Sequence, residues 1–196
     1  AVIDARGRGS GITVRVPEAV VENIAVINYG KNLYARNAGV RVTDGADRVV
    51  LRGLTLKGPG FGIRGDRLEE LVVEGCRIEG VRSMHVLDRG DGVFLNYVKR
   101  PKLTGNAARN VRDGFYFENV DESESRNNFF TGAQYGIHWM YTRGDSAYDN
   151  VSAGVIGGFA LMSSKRIHFE NVPCHGLHPE HPAQRLRRLH GQGQPR

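Results

Sequence analysis

His138, Met140 and Met162 are the residues of this 196-residue chain whose types and spacing best suit metal chemistry. One imidazole and two thioethers form a soft ligand set, better matched to Cu(I) than to cations that prefer oxygen. Such a set works only if the three side chains leave the backbone on one face. A recurrence decides this: Gly92-Val93-Phe94-Leu95, Gly114-Phe115-Tyr116-Phe117, Gly136-Ile137-His138-Trp139 and Gly158-Phe159-Ala160-Leu161 follow one another every 22 residues. If each is a strand, side chains alternate, so the first and third residues after the glycine face inward and the second and fourth outward. The outward rows are then Phe94, Tyr116, His138, Ala160 and Asn96, Glu118, Met140, Met162. His138 and Met140 would stand about 7 Å apart along one strand, and Met140 and Met162 about 5 Å apart across adjacent strands. The spacing therefore predicts a shallow, solvent-facing patch of soft ligands. The competing reading is that the methionines fill gaps beneath a loop or a partner.

Two carboxylates offer a second chemistry. Asp91 and Asp113 each precede an anchor glycine, beside Arg89 and Arg112, and should stack one above the other. Paired carboxylates near Arg and His could perform acid-base work on an acidic sugar. Asp before Gly is also ordinary turn chemistry, and two acids among arginines make a solvated charge ladder. Asn106, Asn128 and Asn150 repeat with the same 22-residue interval. Their expected role is structural: an Asn at a turn tolerates a left-handed backbone and bonds the peptide groups of the neighbouring coil.

The elements that must position these residues are short. Alternating segments at Ile12–Val16, Val20–Asn28, Gly39–Val42 and Val49–Lys57 read as strands, as does Leu71–Ile78. A period of 22 is too short for a helix pair, and the predicted fold is all-β: a single-stranded right-handed parallel β-helix over residues 1–172, with equivalent positions stacked in ladders. Two stretches break the period, Tyr29–Asn37 and Gly80–Arg89, and in repeat proteins such insertions become loops on one face. Residues 173–196, rich in His, Arg and Pro, read as a disordered or atypical tail. The abrupt end suggests a fragment of a longer solenoid, since a terminal coil needs a cap. Apolar residues make up 40% of the chain, without any run of the ~20 that spans a bilayer. The first residues lack the features of a signal peptide. The formal charge of +6 is concentrated near the C-terminus and does not argue for a nucleic-acid partner. Cys76 and Cys174 show neither a disulfide framework nor a zinc spacing, and Cys76 suits a buried small hydrophobe.

Gly90-Asp91-Gly92-Val93, Arg112-Asp113-Gly114-Phe115-Tyr116, Tyr135-Gly136-Ile137-His138-Trp139-Met140-Tyr141 and Gly158-Phe159-Ala160-Leu161-Met162-Ser163 together resemble the NosD family. The resemblance implies a periplasmic β-helix protein without catalytic residues, assisting copper loading of nitrous-oxide reductase with an ABC transporter membrane component and a copper chaperone. It also makes His138, Met140 and Met162 the leading ligands for transiently held Cu(I), with Phe94 and Tyr116 as contact surface for a docking partner. Two rivals come from other classes. One is a polysaccharide lyase, epimerase or hydrolase using Asp91, Asp113, Tyr116 and His138 along an outer groove; the other is a structural adaptor for a transporter.

Overall fold

The computed structural model describes residues 1–176. The chain winds as a coil of three strands per turn, and successive turns stack into three parallel sheets of eight, seven and seven strands. This is the parallel β-helix expected from the period. The sheet that carries the candidate residues is built from Ile12–Val14, Ala38–Val42, Phe61–Glu69, Val93–Lys99, Asp113–Glu118, Tyr135–Met140 and Phe159–Met162, paired in that order. Among the described residues no helix is long and apolar enough to cross a membrane.

The strand alternation holds where the sequence placed it. Val93, Leu95, Phe115, Phe117, Ile137 and Trp139 are all fully buried in the interior cluster. Leu161 is 47% exposed because its strand is the last of this sheet among the described residues, so nothing stacks beyond it. Each anchor glycine lies against the next coil. A Cβ on Gly92 would strike the carbonyl oxygen of Gly114, one on Gly114 that of Gly136, and one on Gly136 would come within 3.0 Å of that of Gly158. Close approach of successive backbones therefore dictates glycine here, and the same contact runs back through Gly62 and Gly39 to Gly11.

The asparagine series is a buried ladder. The Oδ1 of Asn128 accepts from the backbone N–H of Asn106 at 2.9 Å and from its Nδ2 at 3.0 Å. The Nδ2 of Asn128 donates to the carbonyl of Leu103 and to Asn150 Oδ1, while Asn106 caps the N–H of Cys76 in the coil before. One detail of the expectation is corrected. The left-handed backbone belongs to the residue before each Asn, namely Gly105, Asn127 and Asp149, with φ of 65°, 53° and 55°. That preceding residue turns the chain, and the turn drives the Asn side chain inward to bond its neighbours.

Both period-breaking stretches are held down by arginine. In the first, Leu33 packs on the cluster of Ala38, Phe61 and Phe94, and Arg36 reaches Asp66 at 3.6 Å. Asp66 is itself buried and forms a bidentate pair with Arg64, whose guanidinium lies 4.2 Å from the centre of the Phe94 ring. In the second, Arg89 donates to the carbonyls of Arg82 and Met84 within the loop and of Gly132 on the body. The coil pattern also continues past Val172, since Cys174–Gly176 pairs with Val151–Val155. The remainder of the expected tail, 177–196, lies outside the described residues.

Candidate functional site

The outer face of the sheet carrying Tyr135–Met140 holds a continuous row along the solenoid axis: Arg64, Phe94, Tyr116, His138 and Ala160 are register partners in successive strands. Ring contacts join the row. Phe94 stacks on Tyr116 at 5.1 Å with the planes nearly parallel, and Tyr116 meets His138 edge-on at 4.6 Å. Beside it runs the second row, in which Glu118 pairs with Met140 and Met140 with Met162.

His138 occupies the outer row as predicted, but the expectation of an exposed imidazole is overturned. Only 7% of the residue is accessible. Tyr116 and Tyr135 cover the ring, and its Nδ1 lies 3.1 Å from Asp113 Oδ2. Asp113 sits in the preceding coil in register with Tyr135, so this bond draws the imidazole back toward the start of its strand. Met140 and Met162 lie two residues further along, half-buried and 43% exposed. The structure thus brings the two thioethers together as strand neighbours and places the imidazole on the same face, leaning away from them.

The chemistry of that imidazole is nonetheless specific. A carboxylate that accepts from Nδ1–H leaves Nε2 as the ring nitrogen able to offer a lone pair. Nε2 is buried and has no hydrogen-bond partner among the described residues. A carboxylate that orients a histidine in this way is the usual support of a histidine ligand. Among the described residues no group of three or more His, Cys, Asp and Glu side chains is arranged to hold a metal ion. The same face carries the thioethers of Met140 and Met162, and sulfur with imidazole is a soft donor set of the kind that suits Cu(I).

The two acidic positions stack as expected but are not solvated. Asp91 is fully buried and Asp113 is 2% exposed. Asp91 accepts from the backbone N–H of Asp113 at 3.1 Å, and from Nε and Nη2 of Arg112 at 2.9 and 2.6 Å. Asp113 in turn accepts from the N–H of Tyr135 at 3.2 Å. Each carboxylate therefore caps the next coil, and Arg112, whose guanidinium lies 5.4 Å from the centre of the Tyr116 ring, neutralises the first of them. Burial, strengthened by the neighbouring Asp113 charge and opposed by Arg112, pushes Asp91 up to about 6. Arg89, also expected in this ladder, is engaged with carbonyls instead. Burial also raises the Tyr116 phenol above its ordinary value, which disfavours it as a base. Asp91 and Asp113 are buried and each of their oxygens accepts a bond within the solenoid, so neither carboxylate stands on the outer surface where the sugar-processing reading needs it.

Sequence reasoning missed the Arg64–Asp66 pair, which extends the aromatic row with a buried cation. Its signal was available: Arg64 holds the same position after Gly62 that Tyr116 and His138 hold after their own glycines.

The fold and this outer row define a parallel β-helix with one face that joins aromatic, imidazole and thioether groups. Residues 73–173 match the model of a family described as periplasmic copper-binding protein (NosD), which covers more than half of the chain. The chain belongs to that family. It is 32% identical over 114 residues to a probable ABC transporter binding protein NosD of Stutzerimonas stutzeri, an alignment covering 58% of this chain and 26% of the relative. The namesake in Pseudomonas aeruginosa is 38% identical over 114 residues, covering 58% and 27%. The chain thus spans about a quarter of the length of these relatives. Two solved structures share the fold. One is a putative glycosyl hydrolase of Parabacteroides merdae, with a TM-score of 0.53 and 14% identity over 79% of this chain and 83% of that one. The other is the A-module of the Azotobacter vinelandii mannuronan C-5 epimerase AlgE6, with a TM-score of 0.56 and 12% identity over 91% and 57%.

Proposed function

We propose that this chain is the copper-handling β-helix part of a periplasmic accessory protein that helps assemble the copper sites of nitrous-oxide reductase, working with an ABC transporter and a copper chaperone. The protein is a carrier in this reading and not a catalyst. Family membership supports the copper assignment, and one structural observation carries the choice of residues: the buried, unpartnered Nε2 of His138 on the face that also presents Met140 and Met162. Met140 and Met162 would supply thioether sulfur and His138 Nε2 an imidazole nitrogen to a transiently held Cu(I), with Asp113 steadying the ring through Nδ1. Three soft ligands leave a coordination position open, so the ion passes to an acceptor by ligand exchange.

A competitive Cu(I) titration tests this directly. Met140→Leu and His138→Ala should each weaken binding by about tenfold or more, corresponding to about 1.4 kcal/mol. His168→Ala, which alters an exposed histidine on another sheet, should leave affinity unchanged. Leu preserves the volume of Met, so the fold should hold. Deleting the histidine-bearing segment 177–196 from every protein removes its competing ligands. Full affinity in both site variants would move the binding to Met84 and His85 in the second inserted loop.

A further inference from the structure

The row that carries the thioether pair begins with oxygen. Asn96, Glu118, Met140 and Met162 are register partners in successive parallel strands, so each side chain leaves the outer face about 5 Å from the next. Glu118 is half-buried, and among the described residues it enters neither an ion pair nor a hydrogen bond. Elsewhere along the solenoid, glutamates such as Glu69 and Glu79 are each matched by two cations from adjacent coils. Here the cations are committed to other acids. Arg64 and Arg112, which lie against the aromatic rings of this face, pair with Asp66 and Asp91. The neighbour of Glu118 on its other side brings no compensation either, since Oδ1 of Asn96 is buried without a partner. The row beside Met140 is therefore electronegative and uncompensated, and partial burial of such a carboxylate costs free energy that nothing within the described chain returns.

The donors proposed for Cu(I) are an imidazole and two thioethers, all of them neutral. An ion held by them leaves a whole positive charge on a partly desolvated face, which is costly by itself. A carboxylate one strand away offsets that charge, and the ion in turn offsets the cost of the unpaired acid. We propose that Glu118 makes this face selective for a cation, acting through its charge at the thioether pair without entering the coordination shell. Oxygen is a poor donor for Cu(I), which keeps the carboxylate in a supporting position. The inference rests on the copper reading of Met140 and Met162 and assigns to Glu118 the part of the affinity that depends on charge.

Competitive Cu(I) titration of Glu118→Gln on the full chain provides the test. Gln keeps the shape of Glu and removes only the charge, and with no bond to lose the urea midpoint should stay in place. At about 10 mM salt the affinity should fall about fivefold, as a charge pair at this separation near a surface implies. At about 1 M salt, where screening reaches ~3 Å, the variant and the unaltered protein should agree within about twofold. Glu118→Asp, which retains the charge, should stay within about twofold of the unaltered protein at low salt. Glu170→Gln, which changes an exposed acid on another sheet, should have no effect. A loss in Glu118→Gln that persists at high salt, or one that Asp fails to rescue, would overturn the inference, since the residue would then act as a ligand or through its shape. So would an unchanged affinity at low salt. Met140→Leu separates the two readings: if it weakens Cu(I) binding while Glu118→Gln does not, only the role of Glu118 falls. If Met140→Leu and the unaltered protein bind equally well, the copper site falls and this inference with it.

Discussion

Replacing Asn128 with alanine should lower the stability of the solenoid by about 3–5 kcal/mol, because the change removes four buried hydrogen bonds at once and each contributes roughly 0.5–1.5 kcal/mol in non-additive combination. The N–H of Asn106 and the carbonyl of Leu103 lose their bonds to this side chain, while Asn106 Nδ2 keeps only the carbonyl of Val73 and Asn150 Oδ1 keeps only the backbone N–H of residue 128. None can turn to water, since Asn106 and Asn150 are themselves buried to within 1%. The loss is also positional. Asn128 stands in the middle of the ladder, with one coil bonded on either side, so its removal cuts the side-chain link between Asn106 and Asn150. Urea unfolding should show the midpoint falling. Asn32→Ala, which removes an exposed acceptor for the N–H of Ala35, should by contrast cost less than about 1 kcal/mol. Equal losses in the two variants would mean that the ladder does not bind the coils together.

The ladder was legible because the turn that makes it recurs at a constant interval, and a constant interval survives translation into stacked coils. Gly92, Gly114, Gly136 and Gly158 were legible for the same reason, and so was the division between Phe115 or Trp139 inside and Tyr116 or Met140 outside. The first half of the solenoid was harder to read. Gly62 follows once the Gly80–Arg89 insertion is allowed for, but Gly39 and Gly11 belong to the same glycine contact at intervals that no single spacing reveals. Which residue of each turn takes the left-handed backbone is a one-residue question that spacing cannot resolve, and it fell on Asn127 rather than Asn128.

The candidate site was legible in its rows and not in its burial. An outward position on a strand is exposed only if its neighbours are small, and the row beside His138 is built from large rings. Tyr116 comes from the coil before, and Tyr135, three residues upstream on the same strand, closes over the imidazole. The acids misled for a related reason. Asp91 and Asp113 beside Arg89 and Arg112 have the composition of a solvated turn, yet the side chains cap the backbone of the next coil and are drawn under it. Arg89 serves the second insertion, leaving Arg112 as the compensating charge.

That solitary compensation makes Arg112 the most consequential side chain around the candidate site. Arg112→Met keeps much of the aliphatic stem but strands the Asp91 carboxylate, which is fully buried and lies beside Asp113. Breaking one partner from a buried ion pair costs about 3–5 kcal/mol, and the guanidinium here is 26% exposed, which places the expectation near 3 kcal/mol at pH 7.5. The pH dependence follows from the direction of the Asp91 shift. Its value in the fold, about 6, lies above the ordinary 3.8, so the ionised form is disfavoured by folding. The resulting destabilisation is fully present above about pH 6 and disappears as Asp91 takes up its proton between about 6 and 4. Removing Arg112 withdraws the attraction that opposed this shift, which raises Asp91 further and enlarges the penalty at neutral pH. The difference in stability between the unaltered protein and Arg112→Met should therefore shrink on moving from pH 7.5 to pH 5, with unfolding midpoints converging on the acidic side. A gap that stays constant across that range would show that Arg112 acts through its packing against Tyr116 and not through the charge of Asp91. In that case Arg112→Gln, which keeps polarity without charge, should be as costly as Met at every pH.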